Sequence, residues 1–581
     1  MSEIRPSAPE SPARRGLSRR GLFAATAASV PATAVVAGTA PAWADPEDET
    51  RIIDVDLADA ATTTVDGTTV REVAEEGVTM VGATWKGDHP DVLEVRGRLA
   101  ADGSFTEWFA MEDLVSLEAE EESETQEATS AQAIWLGGAC SLVQIRAELG
   151  GSELGEEITA HLIVTTQTAA DEELAAQTNP RARMTYRDGE RPGVGAPLVV
   201  MRDTWGANES LTSGSPRYAS GLKAAVLHHS GGYNSYTAAE VPGLLRGYLA
   251  YHTQTNGWAD LGYNALVDRF GTIYEGRAGG LERHVIGAHA TGSNTGTVGV
   301  CMIGNHSSSS ASSKALNAVA YIMAWKLGGA YVFDVDDRVT IDSKSQRRVF
   351  GHRDAASVST ACPGGAAYSQ ISGLRDLVQQ RLDDDYRTSA YDAYLAVGGR
   401  STLGTVSRIA RVVDGVERTD FSTGCAILVD GDSVVVLDRN GDPFVDYDVS
   451  GVIEDKWLEK GGFAGLGQPT SEQREVQGGL QQDFAQGTIT WSQATDAHVT
   501  LGSIGRKWTR AGGIDSVYGF PDTDESRVLN GTAIRQDYVS GSIFHKHGVG
   551  TFGAHGRIGE AWEDAGGIDS VYGMPISDER R

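Results

Sequence analysis

The chain has 581 residues, of which 22% are charged, and its formal net charge at pH 7 is −30. Nucleic-acid phosphates and anionic membrane surfaces repel a protein this acidic, so the charge argues against both as partners. The length predicts three or four domains.

The first predicted element is an export signal within residues 1–44. Its sequence SRRGLFAATAASVPATAVVAGTAPAWA combines the twin arginines Arg19 and Arg20 with a mildly apolar run and ends in Ala-Trp-Ala at Ala44. These features indicate a twin-arginine signal peptide that is cleaved after this alanine. A membrane anchor is the alternative, but the run is short, rich in small residues and interrupted by Pro31. The sequence therefore predicts a protein that is secreted or associated with the cell wall, with no transmembrane anchor.

Residues 45–168 predict a β-rich domain. Short strand-like runs recur between turn signals, among them VTMVGATW, VLEVRGRL, AIWLGG and LVQIRAEL. Their alternation of apolar and polar residues is typical of an antiparallel sheet. The acidic stretch EAEEESETQEATSAQ (118–132) is interpreted as a solvated loop, and a polar linker is predicted at 169–195.

Residues 196–385 predict an α/β domain with polar residues at the ends of strands. Leu222–Leu227 is a short apolar run that ends in His228 and His229, as expected of a buried strand that delivers side chains to a site. Because neighbouring side chains of a strand point to opposite faces, at most one of these histidines faces a common site. Helices are predicted at about 240–254, 312–327 and 367–382. A mixed sheet flanked by helices is the expected packing.

Near the end of this domain, GHRDAASVSTACPGG (351–365) places His352 and Cys362 in a loop flanked by glycine and serine. Cys362 could form half of a disulfide, fill a buried position or bind a metal together with His352. Zinc requires three or four protein ligands, so the metal interpretation needs a further residue from elsewhere in the chain. The histidine pair that ends the apolar run is the best candidate.

Six motifs follow one another between about Val199 and Leu382: HHS, GWADLGYN, YEGR, IGAHA, VGVCMIGN and GHRD…TACPGG. Together they resemble the zinc amidases of the peptidoglycan recognition protein family, which includes the amidase-type phage lysozymes. The resemblance implies that His228, His352 and Cys362 bind Zn²⁺.

The resemblance also implies the catalytic residues. Tyr263 lies in the GYN motif and Thr360 lies two residues before the cysteine, and both match family positions that contact the substrate carbonyl. Hydrogen bonds from the two hydroxyls would stabilise the developing oxyanion. Zinc lowers the pKa of its bound water to about 7, which supplies a nucleophile. No glutamate occupies a family-matched general-base position, so the group that accepts the proton from water is left open.

Four further residues lie in family-matched loops and are candidates for a groove that binds a glycopeptide: Trp258, His252, His289 and Asn294. The alternative for them is a structural role, with the tryptophan in the core and His252 hydrogen-bonded at a helix end. Cys301 matches a position buried in a strand and is expected to be inert.

The two cysteines not yet discussed, Cys140 and Cys425, fall in different predicted domains. No disulfide is therefore expected.

Residues 390–581 contain tandem repeats. Three segments, which begin DKWLEKGG, RKWTRAGG and EAWEDAGG, align on Trp457, Trp508 and Trp562, and a divergent earlier copy is predicted to begin at 397–406. They resemble the LGFP repeats of wall-associated proteins from mycolate-bearing actinobacteria, which implies attachment to a cell-wall polymer. The alternative is a spacer whose aromatic residues only form cores.

These features predict a secreted, zinc-dependent N-acetylmuramoyl-L-alanine amidase that cuts between muramic acid and the stem peptide of peptidoglycan. The alternatives are a non-catalytic peptidoglycan-binding protein and a zinc peptidase that cuts within the stem peptide. The complete ligand set, with Tyr263 and Thr360, favours an enzyme over a receptor. Because the predicted strands and helices of the amidase are complete by Leu382, we expect it to remain folded when the chain is cut near residue 390.

Overall fold

The computed structural model describes residues 50–88, 90–112, 129–150, 152–153, 158–176, 191–193, 195–357, 359–441 and 447–579. The predicted signal peptide lies outside these residues, as do most of the acidic stretch and of the predicted linker. The first residues of that linker form helix α1 (Ala169–Ala176). Among the described helices, none has the length and apolar character needed to span a bilayer.

The β-rich region is one antiparallel sheet, which confirms the predicted class. Its strands are β1 (Arg51–Asp56), β2 (Ala61–Val65), β3 (Thr68–Val73), β4 (Val78–Trp85), β5 (Val92–Leu99), β6 (Phe109–Ala110), β7 (Thr129–Ser130), β8 (Ile134–Leu149), β9 (Ser152–Glu153) and β10 (Ile158–Val164). The main path runs β1-β10-β4-β8-β3-β2, with β5 also paired to β8. The runs AIWLGG and LVQIRAEL, predicted as two strands, belong to the single strand β8, whose pairing to β4 is interrupted by a register shift.

The amidase region contains a six-stranded mixed sheet, as predicted. Its strands are β12 (Val199–Val200), β13 (Ala224–His229), β14 (Ala265–Val267), β15 (Ile273–Glu275), β16 (Thr297–Met302) and β19 (Val349–Gly351). The order is β12-β15-β14-β16-β13-β19, and only β14 and β15 pair in the antiparallel direction. A separate hairpin joins β17 (Arg338–Ile341) to β18 (Lys344–Arg347).

Helices pack beside this sheet close to their predicted positions. They are α2 (Val241–Ala250), α3 (Ser313–Gly329), α4 (Gly365–Ser369) and α5 (Ile371–Asp385). Helix α2 has Pro242 in its first turn, where the missing N–H costs nothing. Helix α3 begins after Ser312, whose hydroxyl accepts a hydrogen bond from the backbone N–H of Ala315 at 3.1 Å. All six residues of β13 and of β16 are buried, as expected for parallel strands covered on both faces.

The C-terminal region alternates helices with small antiparallel sheets. The helices are α6 (Ser389–Ala396), α7 (Arg400–Leu403), α8 (Gly451–Glu459), α9 (Gly462–Gly465), α10 (Gly502–Ala511) and α11 (Gly556–Asp564). The first sheet pairs β11 (Arg191–Pro192) with β20 (Val406–Val413), β21 (Val416–Phe421), β22 (Ala426–Asp430) and β23 (Ser433–Leu437). The next contains β24 (Arg474–Val476), β25 (Gly479–Phe484), β26 (Gly487–Ser492) and β27 (Asp496–Leu501), and the last contains β28 (Ser526–Val528), β29 (Ala533–Tyr538), β30 (Gly541–Lys546) and β31 (Gly550–His555).

The recurring tryptophans have the same structural role in each copy. The indole N–H of Trp457 donates a hydrogen bond to the carbonyl of Gly467 at 2.9 Å, and that of Trp508 donates to Gly519 at 3.0 Å. In the last copy, Trp562 donates to the carbonyl of Gly573 at 3.1 Å. In each copy, the tryptophan thus hydrogen-bonds its helix to the turn that follows. This contact explains why the repeat contains both a tryptophan and a Gly-x-Pro turn.

The hydrophobic core of the amidase continues beyond Leu382. Apolar side chains from α3 and α5 form one buried cluster with residues of α6, α7 and the β20–β23 sheet, including Leu403, Ile409 and Phe421. A cut near residue 390 would remove this part of the core, so the expectation of a folded truncated chain is not supported. A cut after β23 leaves the shared core in place.

Candidate metal centre

Three candidate ligands meet where parallel strands end. His228 lies near the end of β13, and His352 follows directly after β19, its parallel neighbour. The loop that continues from His352 returns Cys362 to the same place, and the nitrogen and sulfur ligand atoms of the three residues all lie within 4.8 Å of one another. All three side chains are buried. The carboxyl ends of parallel strands are where α/β proteins commonly bind ligands.

The donor set fits zinc. Cys362 Sγ lies 3.7 Å from His228 Nδ1, close to the separation of about 3.5 Å that a thiolate and an imidazole have around one tetrahedral zinc ion. Both ring nitrogens of His352 are buried and lack a hydrogen-bond partner among the residues that the structure describes. A buried polar atom without a partner is costly, and a bound cation would satisfy one of these nitrogens. Two imidazoles and one thiolate match a zinc site that keeps its fourth position open.

The surroundings prepare the histidines for metal binding. Burial lowers the pKa of His228 well below its ordinary value and lowers the pKa of His352 to about 4. Both imidazoles are therefore neutral at pH 7 and present a lone pair. Burial raises the pKa of the Cys362 thiol, so a cation that binds to the sulfur must displace its proton.

His289, predicted to line the groove, lies directly behind a ligand. Its Nδ1 is 3.0 Å from Nε2 of His228, whose Nδ1 faces the sulfur. For Nδ1 of His228 to bind a metal, the proton of that ring must sit on Nε2, where His289 Nδ1 can accept it, so this contact is compatible with the required tautomer. Gly299 makes the arrangement possible, since a Cβ at that position would lie 2.4 Å from the His289 ring.

The other groove candidates are also held by internal contacts. His252 Nδ1 accepts a hydrogen bond from the backbone N–H of Gly262 at 3.1 Å, and its ring lies 4.6 Å from that of Trp258. Asn294 Oδ1 accepts hydrogen bonds from the backbone N–H groups of His289 and Ala290, each at 2.9 Å. The histidine and the tryptophan are buried. These contacts support the loops around the cluster, and contact with a substrate stays a prediction.

The two predicted catalytic residues contact different members of the cluster. The ring of Tyr263 is 5.3 Å from that of His228, and the residue precedes β14. Thr360 Oγ1 accepts a hydrogen bond from the backbone N–H of Cys362 at 3.1 Å. The Tyr263 ring thus lies beside one candidate ligand and the Thr360 hydroxyl beside another, and their roles in catalysis stay a prediction. Cys301, also near Tyr263, is buried and unpaired, and all four cysteines of the chain are free.

Two residues from the β-rich region reach this centre, and sequence reasoning missed both. Gln132 Nε2 donates a hydrogen bond to the Tyr263 hydroxyl at 2.9 Å. Glu112 Oε2 lies 3.1 Å from Nε2 of His229, the histidine that faces away from the ligand cluster. Gln132 is buried, so the end of the acidic stretch is not the solvated loop that was predicted. A lone glutamine distant in sequence carries no local signal for such a contact.

Comparison with known proteins identifies the family of this chain. The family model described as N-acetylmuramoyl-L-alanine amidase matches residues 218–365, and the LGFP repeat model matches 466–516 and 519–570. Peptidoglycan-recognition protein SC2 of Drosophila simulans is 31% identical over 173 residues, which are 30% of this chain and 84% of that protein. The chain belongs to the peptidoglycan-recognition protein family.

Further relatives in this family come from distant animals. Peptidoglycan recognition protein 1 of Bos taurus is 28% identical over 174 residues, which cover 30% of this chain and 82% of that protein. Among solved structures, wild-type Drosophila PGRP-LB is 26% identical with a TM-score of 0.25, and covers 30% of this chain and 92% of its own. The predicted family and the LGFP repeats are confirmed. The β-rich region lies outside the part of the chain that the amidase model matches.

Proposed function

We propose that the protein is a zinc-dependent N-acetylmuramoyl-L-alanine amidase that hydrolyses the amide bond between muramic acid and the stem peptide of peptidoglycan. The observation that carries the proposal is the buried cluster of His228, His352 and Cys362, with the Tyr263 ring 5.3 Å from the first of these. The family includes such amidases, and a receptor has no need of a complete ligand set.

Each residue of the centre has a defined role in this proposal. Zinc bound by the three ligands would supply a Lewis acid and a water of lowered pKa. His289 holds His228 in the tautomer that presents Nδ1. The hydroxyls of Tyr263 and Thr360 donate hydrogen bonds to the substrate carbonyl oxygen as negative charge develops on it, where each contact is worth most.

We further propose that the protein works outside the cytoplasm, exported by its twin-arginine sequence and held at the wall by its repeats. The chain is acidic, so anionic wall polymers repel it and attachment requires specific contacts. The tryptophans belong to the fold of each repeat, which leaves the wall ligand to other surfaces of these units.

Two substitutions separate an amidase from a receptor. Cys362→Ser replaces a thiolate with a neutral hydroxyl and should remove zinc and activity together. Tyr263→Phe keeps the ring and the zinc, and should lower turnover of peptidoglycan by about 10²-fold with little change in substrate binding.

Zinc content, binding to peptidoglycan and amide cleavage are measured for both variants and the parent. Equal binding by all three proteins with cleavage by none would establish a receptor instead. A fully active Tyr263→Phe variant would remove the tyrosine from the mechanism while leaving the enzyme.

A further inference from the structure

The metal centre is closed by the protein itself. The exposed fractions are 0% for His228, 1% for Cys362, 5% for His352 and 3% for Tyr263. A glycopeptide has to bring its scissile carbonyl to the metal and to the Tyr263 hydroxyl at the same time. Because Tyr263 is buried and its hydroxyl already accepts a hydrogen bond from Gln132, such a substrate cannot reach this hydroxyl unless some part of the protein moves.

The covering residues come from the β-rich region and are here called the cover, defined as Glu112 and residues 129–135. The backbone N–H of Gln132 donates to the carbonyl of Glu112 at 2.8 Å, which ties the two parts of the cover together. The side-chain amide of the same glutamine donates to Tyr263 at 2.9 Å. The cover therefore occupies a position next to the hydroxyl that a substrate carbonyl would need.

Further contacts hold the cover against the amidase region. Glu112 bonds His229 at 3.1 Å through one carboxylate oxygen, and its other oxygen accepts a hydrogen bond from the Ser307 hydroxyl at 3.4 Å. The Tyr251 hydroxyl donates to the carbonyl of Ala131 at 2.7 Å. These polar contacts are specific to one placement of the cover.

Close packing accompanies these hydrogen bonds. The backbone N–H of Tyr233 donates to the carbonyl of Trp135 at 2.9 Å, and the neighbouring Gly232 approaches so closely that a Cβ there would lie 2.7 Å from the Trp135 nitrogen. Ala133 and Trp135 share a buried cluster with Tyr263 and with residues of α2. The cover is thus part of a folded interface between the β-rich sheet and the amidase.

We propose that the cover is an autoinhibitory element, which excludes glycopeptide from the metal centre until it is displaced. This inference rests on the proposed amidase function only for its effect on turnover, because closure itself can be measured without any reaction. The side chain of Gln132 occupies the place beside the Tyr263 hydroxyl that the substrate carbonyl would need. A protein that degrades the wall gains from such a contact because cleavage then requires a second event that moves the cover.

Closure is tested by alkylation of Cys362 in the metal-free, full-length protein. N-ethylmaleimide is added under native conditions, and peptide mapping by mass spectrometry follows each of the four cysteines separately. Gln132→Ala and Glu112→Ala each remove contacts that hold the cover closed, so each should speed alkylation of Cys362 about fivefold. Cys140, in the core of the β-rich sheet, should react at an unchanged rate, which excludes general unfolding.

The matched control is Gln144→Ala. Gln144 is a buried glutamine of the same sheet that accepts a hydrogen bond from Arg96 at 2.7 Å within the β-rich region. It should leave the alkylation of Cys362 unchanged. If Cys362 of the parent protein reacts as fast as in urea, or if the two cover variants match the control, the cover does not close the centre and the proposal fails.

Turnover of peptidoglycan by the zinc-loaded proteins gives the second readout. Autoinhibition predicts that Gln132→Ala raises turnover in parallel with alkylation. Faster alkylation with lower turnover would overturn the proposal, because Gln132 would then assist Tyr263 in the reaction. Faster alkylation with no turnover by any protein would keep the cover and reject the amidase function.

Discussion

Replacing His289 with phenylalanine should weaken zinc binding without removing a ligand. Phenylalanine fills the space above Gly299 but offers no acceptor to Nε2 of His228, which His289 Nδ1 contacts at 3.0 Å. His228 then either buries an unpaired N–H or shifts its proton to Nδ1, the atom that the metal requires. Loss of such a supporting contact costs about 10- to 100-fold in metal affinity, which corresponds to about 1.4–2.7 kcal/mol.

The assay is competition for zinc with a chelator of known affinity, with His252→Phe as the matched control. His252 is also a buried histidine that accepts one hydrogen bond, at 3.1 Å from Gly262, but its ring nitrogen does not bond a candidate ligand. Both variants lose a buried hydrogen bond and should lose stability, yet only His289→Phe should lose zinc affinity. Unchanged affinity in His289→Phe, or an equal loss in both variants, would refute the positioning role.

Three further predictions concern the metal, the repeats and export. Zinc binding at pH 7.5 should release about one proton per ion, because burial raises the pKa of the Cys362 thiol and keeps His228 and His352 neutral. Binding should therefore weaken as the pH falls. Calorimetry in two buffers of different ionisation enthalpy measures the number of protons released. A chain that ends at Asn440 retains the β20–β23 sheet and should stay folded and active on soluble muropeptides, whereas its co-sedimentation with cell walls should fall; unchanged sedimentation would make the removed repeats a spacer. Replacing Arg19 and Arg20 together with lysine should leave the precursor in the cytoplasm, and normal secretion would point to another export route.

The sequence predicts the parts of this protein whose signals are local. The run that becomes β13 is continuously apolar and ends in two histidines, so a buried strand is predicted there. Strand geometry also predicts that the two histidine side chains point to opposite faces of the sheet. Strands β4 and β5 span the residues that their alternation predicts. The proposed zinc ligands are predicted from a family resemblance, and the structure adds the fact that the three residues converge.

The features that the sequence could not show depend on contacts between distant segments. Gln132 ends a stretch whose acidic composition favours solvent, yet its side chain is buried against Tyr263. The sequence also does not show that the amidase core extends into the β20–β23 sheet. Ile409 and Phe421 belong to strands whose apolar side chains could pack against several partners. The family match of its loop predicts that His289 lines the groove. The structure instead shows its ring packed against Gly299 and in contact with His228, which the sequence of the loop does not reveal.

Identification of the fragments released from purified peptidoglycan tests the central claim most directly. The zinc-loaded parent protein and its zinc-loaded Gln132→Ala variant, which is included because the proposed cover would close the parent, are each incubated with intact peptidoglycan. The soluble products are analysed by mass spectrometry. An N-acetylmuramoyl-L-alanine amidase releases intact stem peptides with a free N-terminal alanine and leaves the glycan strands uncut. Shortened stem peptides would show a peptidase, and the absence of any released peptide from either zinc-loaded protein would contradict the enzyme.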